Sequence, residues 1–438
     1  MRVFTNILSF VLLVAALAAW VALPWAGALG LALLIALWLL FTRAGGRARS
    51  VTAVGLATLP QRLGSAAVIV VGIAGVVGVL VALLAMGEGY RQALTGSGDE
   101  GTAIILRGGS SNEVSSVLSR DNLVQIDQAP GIAHNAKGEP ITSDELVVAA
   151  FVPLHGGAKD ELGSVQVRGV GEQGFAVRPH LKLVAGRRFA PGLRELMVGA
   201  GAQRQFDGLE LGKTVRLGSQ DWTVVGVFST GDAFDSELWA DANSVADAYR
   251  RGSSRTTVLA RLDGPQGLAT LKKAVADNPQ LAVDASTTLE FYASQSEGIV
   301  KALRVIGMVV GGIMGVGALF GALNTMFAAV AARAREIATL RAIGFAGTPV
   351  VVAVMLETLL LALLGGVLGG LIAWALFDGF SASTMAAGSV GKLSFSLRVT
   401  PQLLWEGIKW ALAIGLIGGL YPALRAARLP VTTALREM

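Results

Sequence analysis

The sequence contains no cysteine, which removes disulfide bonding and any Cys-ligated zinc or iron–sulfur centre. Histidine is nearly as scarce: His134, His155 and His180 are dispersed, and none sits in an HExxH arrangement, so a metalloprotease site has no foothold. Charged residues make up only 15% of the 438-residue chain, against 53% hydrophobic residues. That balance is too apolar for an ordinary soluble protein of this length, so much of the surface must face lipid. The formal charge of +5 is not gathered into one basic run. Short clusters beside apolar stretches read as topology markers and give no support for a nucleic-acid partner.

What is abundant is apolar sequence in runs long enough to cross a bilayer, which takes about 20 helical residues. The clearest runs are residues 65–86, 302–330, 350–377 and 407–424. Between the first two lies a long polar stretch with strand-like alternation at residues 102–106, 146–153, 164–170 and 222–228, and with helical patterns at 121–128, 240–250 and 265–276. This predicts an α+β domain inserted between the first and second core spans of an α-helical membrane protein. Arg43, Arg47, Arg49 and Arg62 precede the first span, Arg333, Arg335 and Arg341 lie between the second and third, and Arg425, Arg428 and Arg436 follow the fourth. Positive residues mark the cytoplasmic side, which puts the inserted domain and the loop at 378–402 outside the cytoplasm and both termini inside.

The stretch from Ile7 to Thr42 is almost wholly apolar, and as one helix would be roughly 54 Å long, too long for an untilted span. Pro24, Trp25 and Gly27 supply a break near its middle, so a two-helix hairpin is predicted. A cleaved signal peptide fits less well, because the apolar run is far too long and the n-region holds only Arg2.

Two glycine-rich segments imitate nucleotide motifs. Gly208-Leu209-Glu210-Leu211-Gly212-Lys213-Thr214 has three residues between its glycines where a phosphate loop needs four, and Gly169-Val170-Gly171-Glu172-Gln173-Gly174 is not followed by a helical pattern. Both read as turns. No catalytic, nucleotide or cofactor site is therefore expected in this chain.

Three segments resemble the permeases of MacB/FtsX-like ABC transporters, the mechanotransmission or type VII class. The first is Arg335-Glu336-Ile337-Ala338-Thr339-Leu340-Arg341-Ala342-Ile343-Gly344, followed by Met355-Leu356-Glu357 and Gly365-Gly366-Val367-Leu368-Gly369-Gly370. The second is Gly419-Leu420-Tyr421-Pro422-Ala423-Leu424-Arg425-Ala426-Ala427-Arg428, with Ala434-Leu435-Arg436 after it. The third comprises Val167-Arg168-Gly169-Val170, Gly186-Arg187-Arg188-Phe189 and Trp222-Thr223-Val224-Val225-Gly226-Val227, in the family's order. The resemblance covers residues from about 50 onward, and the N-terminal hairpin is additional to the four-span pattern. That hairpin either covers the core, docks a partner, or is an added anchor.

A short amphipathic helix at residues 333–343 would place Ile337 and Leu340 on one face by i, i+3 spacing. Gly344 would end it, and Thr348-Pro349 would cap and start the next span. The resemblance implies that Arg335, Glu336, Ile337, Leu340, Arg341, Ala342 and Gly344 form a coupling helix against a cytoplasmic ABC ATPase. Glu357 lies about two turns into an apolar span, where a charge needs a partner. A structural pair with an arginine is the simpler reading, and a part in a closing motion the other. Glu406 and Lys409, near one end of the last span, are expected to snorkel. Gly311 and Gly315, Gly317 and Gly321, Gly365 and Gly369, and Gly366 and Gly370 are spaced for close helix packing in lipid.

The domain division expected is a hairpin and linker over 1–49, an elbow helix and first span over 50–86, a periplasmic domain with helical stalks over 87–301, and an FtsX-like part over 302–438. The resemblance further implies two ATPase copies holding ATP and Mg, and a second permease copy, identical or not. It also implies residence in the bacterial inner membrane and leaves room for a periplasmic adaptor and outer-membrane channel. The implied task is export or extraction of a lipid, lipoprotein, peptide or hydrophobic drug. The alternative is signalling to external cell-wall hydrolases.

Overall fold

A computed structural model describes residues 19–20, 23–157, 161–342, 346–385 and 391–428. The chain divides into two compact units: Met1–Ala85 with Leu303–Asp378 and Arg398–Met438, and Met86–Ala302 with Gly379–Leu397.

In the helical unit, α1 (Trp25–Phe41) exposes its large apolar side chains, Leu29, Leu33, Leu34 and Phe41 among them. Thr42 ends α1 by donating its N–H to the Trp38 carbonyl, and starts α2 (Arg43–Ala57) by accepting from the Gly45 N–H through its side chain at 2.9 Å. The chain turns by 96° at this point. Residues 1–18 and 21–22, which hold the first arm of the expected hairpin, lie outside the described residues. Buried Gly45, Ala48, Val51 and Gly55 line one face of α2 at helical spacing. The expected boundary at residue 49 falls inside this helix.

A short 3-10 turn, Leu59–Arg62, leads into α3 (Leu63–Gly96). After the second unit the chain returns as α8 (Thr288–Ala332), α9 (Ala334–Ala342), α10 (Gly347–Phe377) and α11 (Pro401–Arg428). Four helices among the described residues, those containing α3, α8, α10 and α11, are long and apolar enough to cross a membrane. Their shared core includes Ile73, Val77, Met326, Leu361 and Ile414. α10 starts two residues earlier than Thr348-Pro349 suggests, with Ala346 at the N-cap. Pro349 then falls within the first turn, where its missing N–H removes no intrahelical bond.

The second unit is a mixed sheet. Its elements run β1 (Thr102–Arg107), α4 (Arg120–Asp127), β2 (Thr142–Pro153), β3 (Leu162–Val170), β4 (Lys182–Gly186), β5 (Glu195–Gly199) and α5 (Ala200–Gln205). They continue with β6 (Thr214–Leu217), β7 (Gln220–Ser229), β8 (Glu237–Asp241), α6 (Ala242–Ala248), β9 (Thr257–Arg261), α7 (Gly267–Ala276) and β10 (Val283–Thr287). The strand order is β10-β1-β9-β2-β3-β8-β5-β7-β4, with β6 on β7. A separate antiparallel pair, β11 (Ser381–Met385) and β12 (Lys392–Ser396), also belongs to this unit.

One strand organises the sheet. The first part of β2, Thr142 to Glu145, pairs with β9, and the rest, from Leu146, pairs with β3. The switch separates two cores, one around Ile105, Ile126, Val258 and Leu271, the other around Val167, Phe206, Trp222 and Leu238. Glu145 stands at the switch.

Candidate coupling site

α8 breaks at Arg333, where a single turn residue separates it from α9. Arg333 donates from Nε to Glu336 Oε2 at 3.1 Å, one turn into α9, and from Nη1 to Glu357 Oε2 at 3.1 Å on α10. The other Glu357 oxygen, Oε1, accepts from Arg62 Nη2 at 3.3 Å, just before α3. Arg62–Glu357–Arg333–Glu336 is thus a charge-balanced relay joining four segments of the helical unit. The Glu357 side chain is only 6% exposed, and an uncompensated charge there would be costly. Gly55 lets α2 pass beside it: an added Cβ would meet Arg333 Nη1 at 3.1 Å and Glu357 Oε2 at 3.2 Å.

On α9, Arg335, Glu336 and Thr339 are exposed, Arg341 is half-buried and Ala342 exposed. Ile337, expected to face a partner, is instead buried with Ala338 in the core of its own helical unit. The apolar side of a helix this short covers the nearest apolar surface, here its own chain. The Leu340 side chain and Gly344 lie outside the described residues.

Among the glycines, Gly369 faces the Ala74 carbonyl so closely that no Cβ fits, and an added Cβ on Gly365 would meet Val70 O at 2.8 Å. Gly366 and Gly370 instead face α11, where a Cβ would come to 2.8 Å from Ala411 and 3.2 Å from Leu404. Gly311 and Gly315 sit looser, against Leu80 at 3.4 Å and Ile414 at 3.5 Å, while Gly317 and Gly321 have open space. A seam not anticipated runs along α11, with Gly407 against Val77, Gly415 against Ala362 and Gly419 against Thr358. The four-residue spacing of Gly407, Ala411, Gly415 and Gly419 carries the same small-residue signal. The Lys409 side chain is buried and pairs with Glu406 at 2.8 Å, while Glu406 is partly exposed.

A second charged cluster lies in the sheet unit at the β2 switch. Arg168, 1% exposed, donates from Nη1 to Glu113 at 2.7 Å and to Glu145 at 3.0 Å, and from Nε to Glu237 at 2.7 Å. Arg178 bonds both Glu145 oxygens and stacks over Phe234 and Trp239. Burial works against the Arg168 charge, but Glu113 and Glu237 outweigh it and hold the guanidinium well above its ordinary range. Burial likewise works against ionised Glu145, yet Arg178 and then Arg168 pull its pKa below the usual value. The sequence marked Arg168 only as part of a family segment. Its partners come from distant elements and leave no local pattern.

Gly208 and Gly212 have positive φ in turns before β6, and the segment after β3 turns through a Gly174 N–H to Gly171 carbonyl bond without starting a helix. His155 pairs with Asp207 at 2.6 Å on the surface, and no group of three metal-ligating side chains occurs among the described residues.

A bundle of long apolar helices and a mixed sheet domain define a multi-pass membrane protein. Residues 66–278, from α3 through most of the sheet part, are matched by the model of the MacB-like periplasmic core domain, and residues 308–431 by the FtsX-like permease C-terminal model. The chain belongs to the MacB/FtsX-like family of ABC transporter permeases and carries a periplasmic domain. It is similar to the macrolide export ATP-binding/permease protein MacB 1/2 of Paracoccus denitrificans (strain Pd 1222), at 27% identity over 400 residues, covering 84% of this chain and 55% of that protein. Macrolide export ATP-binding/permease protein MacB 2 of Yersinia pestis bv. Antiqua (strain Antiqua) is 27% identical over 418 residues, covering 87% of this chain and 57% of that one. The chain spans about half the length of these curated relatives. Among solved structures, the periplasmic region of MacB from Actinobacillus actinomycetemcomitans aligns at 18% identity over 45% of this chain and 93% of that chain, with a TM-score of 0.33.

Proposed function

We propose that this permease subunit couples ATP hydrolysis in a separate nucleotide-binding subunit to a conformational change of its periplasmic domain. The work done would be export or extraction of a lipid, lipoprotein, peptide or hydrophobic drug. The observation that carries this reading is the relay through Arg333. A push on the exposed side of α9 reaches Glu357 on α10 and Arg62 before α3 through three ion pairs. α3 and α8 are each one helix whose residues divide between the helical and sheet units, so displacement at one end need not be lost at a loop.

In this reading ATP and Mg are held by two copies of the cytoplasmic partner, the basic ends of the helices and both termini face the cytoplasm, and a second permease copy completes the assembly. Open space at Gly317 and Gly321 beside exposed Ile313, Val316 and Phe320 suits close approach of that copy. The test is purification of the full chain in mild detergent from its host, with co-purifying proteins identified and ATP hydrolysis assayed. A stoichiometric ATPase whose activity disappears with its Walker lysine supports the reading. An ATPase-free preparation under several gentle conditions overturns it, and a co-purifying cell-wall hydrolase would favour signalling over transport.

A further inference from the structure

Residues 1–87 contain Arg2, Arg43, Arg47, Arg49 and Arg62 and not one Asp or Glu; the first acidic residue is Glu88. Arg62 has its counter-charge in Glu357. Arg43, Arg47 and Arg49 are exposed, and among the described residues they make no ion pair and no side-chain hydrogen bond.

Their placement is unfavourable within the chain itself. All three fall in the first two turns of α2, which has no acidic residue in its first turn, so they meet the positive end of the helix dipole with nothing to offset it. Arg43 and Arg47 are one turn apart on one face. Arg49 lies on the opposite flank of the face formed by Gly45, Ala48, Val51 and Gly55, which packs into the helical unit.

The setting says what supplies the missing charge. α1 is apolar on all sides and exposed along its length, which is stable only in lipid. The 96° bend at Thr42 turns α2 across the direction of α1, directly at the end of that lipid-facing helix. A helix crossing at such an angle, with one face packed on the protein and arginines on its flanks, lies at the depth of the headgroups.

We propose that α2 is a binding surface for anionic phospholipids, with Arg43, Arg47 and Arg49 engaging headgroup phosphates of the leaflet at that end of the helical unit. Guanidinium groups suit phosphate because they offer paired donors and keep their charge. Clustered arginines beside a membrane helix gain from a negative leaflet surface.

The experiment uses the full-length chain in mild detergent. Thermal melting is followed with added phosphatidylglycerol or phosphatidylcholine, and retained phospholipid is quantified by mass spectrometry. The expected result is a higher Tm with phosphatidylglycerol than with phosphatidylcholine, and retained lipid enriched in anionic species over the host membrane. Both effects should vanish in an R43Q/R47Q/R49Q variant and persist in R43K/R47K/R49K. Equal response of the natural sequence to both lipids overturns the proposal without any variant. Unchanged enrichment in the glutamine variant overturns it too, as does loss of a protein partner from that variant with lipid unaltered, which would place the counter-charge on an acidic protein surface.

Discussion

Arg168 is an arginine enclosed by three carboxylates, and the balance of that cluster can be tested one residue at a time. Replacing Arg168 by Met roughly keeps the volume but leaves Glu113, Glu145 and Glu237 without their shared guanidinium, with Arg178 still on Glu145. Breaking a buried pair from one side costs about 3–5 kcal/mol, so R168M should sharply raise amide hydrogen exchange over β3 and β8. Unchanged protection would mean that the cluster holds nothing together. Acid should act on the same place. The folded pKa of Glu145 lies below its ordinary value of 4.5, so its stabilisation is complete above that value and is lost as pH falls through the folded value. Asp144, raised by burial despite Arg255, runs in the opposite sense and contributes a penalty already present at neutral pH. Protection that Glu145 contributes at the β2 switch should therefore be constant from neutral pH down to about 4.5, after correction for intrinsic rates, and be lost below it as exchange rises. Glu145→Gln should flatten that acid rise.

At the scale of elements, packing of the long helices depends on where glycine is required, and the spacing alone did not say. Gly369 has the Ala74 backbone where a side chain would be, and Gly317 has nothing within 4 Å. Gly369→Val should force α3 and α10 apart at a cost of about 1–3 kcal/mol or more. Gly317→Ala should leave the isolated chain's Tm unchanged or slightly higher, since alanine favours a helix by up to about 1 kcal/mol. Melting curves of the two variants in one detergent separate the roles, and equal losses would contradict the packing described. The spans were legible because about 20 apolar residues have few other uses. β1, β2, β3 and β7 were legible because they are the longer strands of the sheet. β4, β5, β6, β8, β9 and β10 are four or five residues each, too short to carry a period. β11 and β12 are equally brief. The Arg333–Glu357–Arg62 relay was half legible. Burial in an apolar run demands that Glu357 have a partner, but choosing Arg333 and Arg62 from the basic residues required the helices to be brought together.

For the whole molecule, the relay has to be worth more than its structural stability if it transmits force, and that difference is measurable. Glu357 holds both Arg62 and Arg333, whereas Glu336 is half exposed and, among the described residues, bonds only Arg333 through a one-turn pair, so its loss should cost under about 1 kcal/mol of stability. Glu336→Gln should then leave Tm and membrane insertion nearly unchanged. If α9 is the contact with the ATPase, the same substitution should still reduce complex-stimulated hydrolysis, because coupling between sites is typically about 1–3 kcal/mol, or roughly five- to 150-fold. Arg335→Glu reverses a charge on the exposed side of α9 and should reduce stimulation further. Glu357→Gln removes the shared counter-charge and should lose both Tm and coupling. A purely structural relay predicts that hydrolysis follows Tm across all three variants. A transmitting one predicts that Glu336→Gln and Arg335→Glu lose stimulation at constant Tm, and only the second pattern makes α9 a lever as well as a brace.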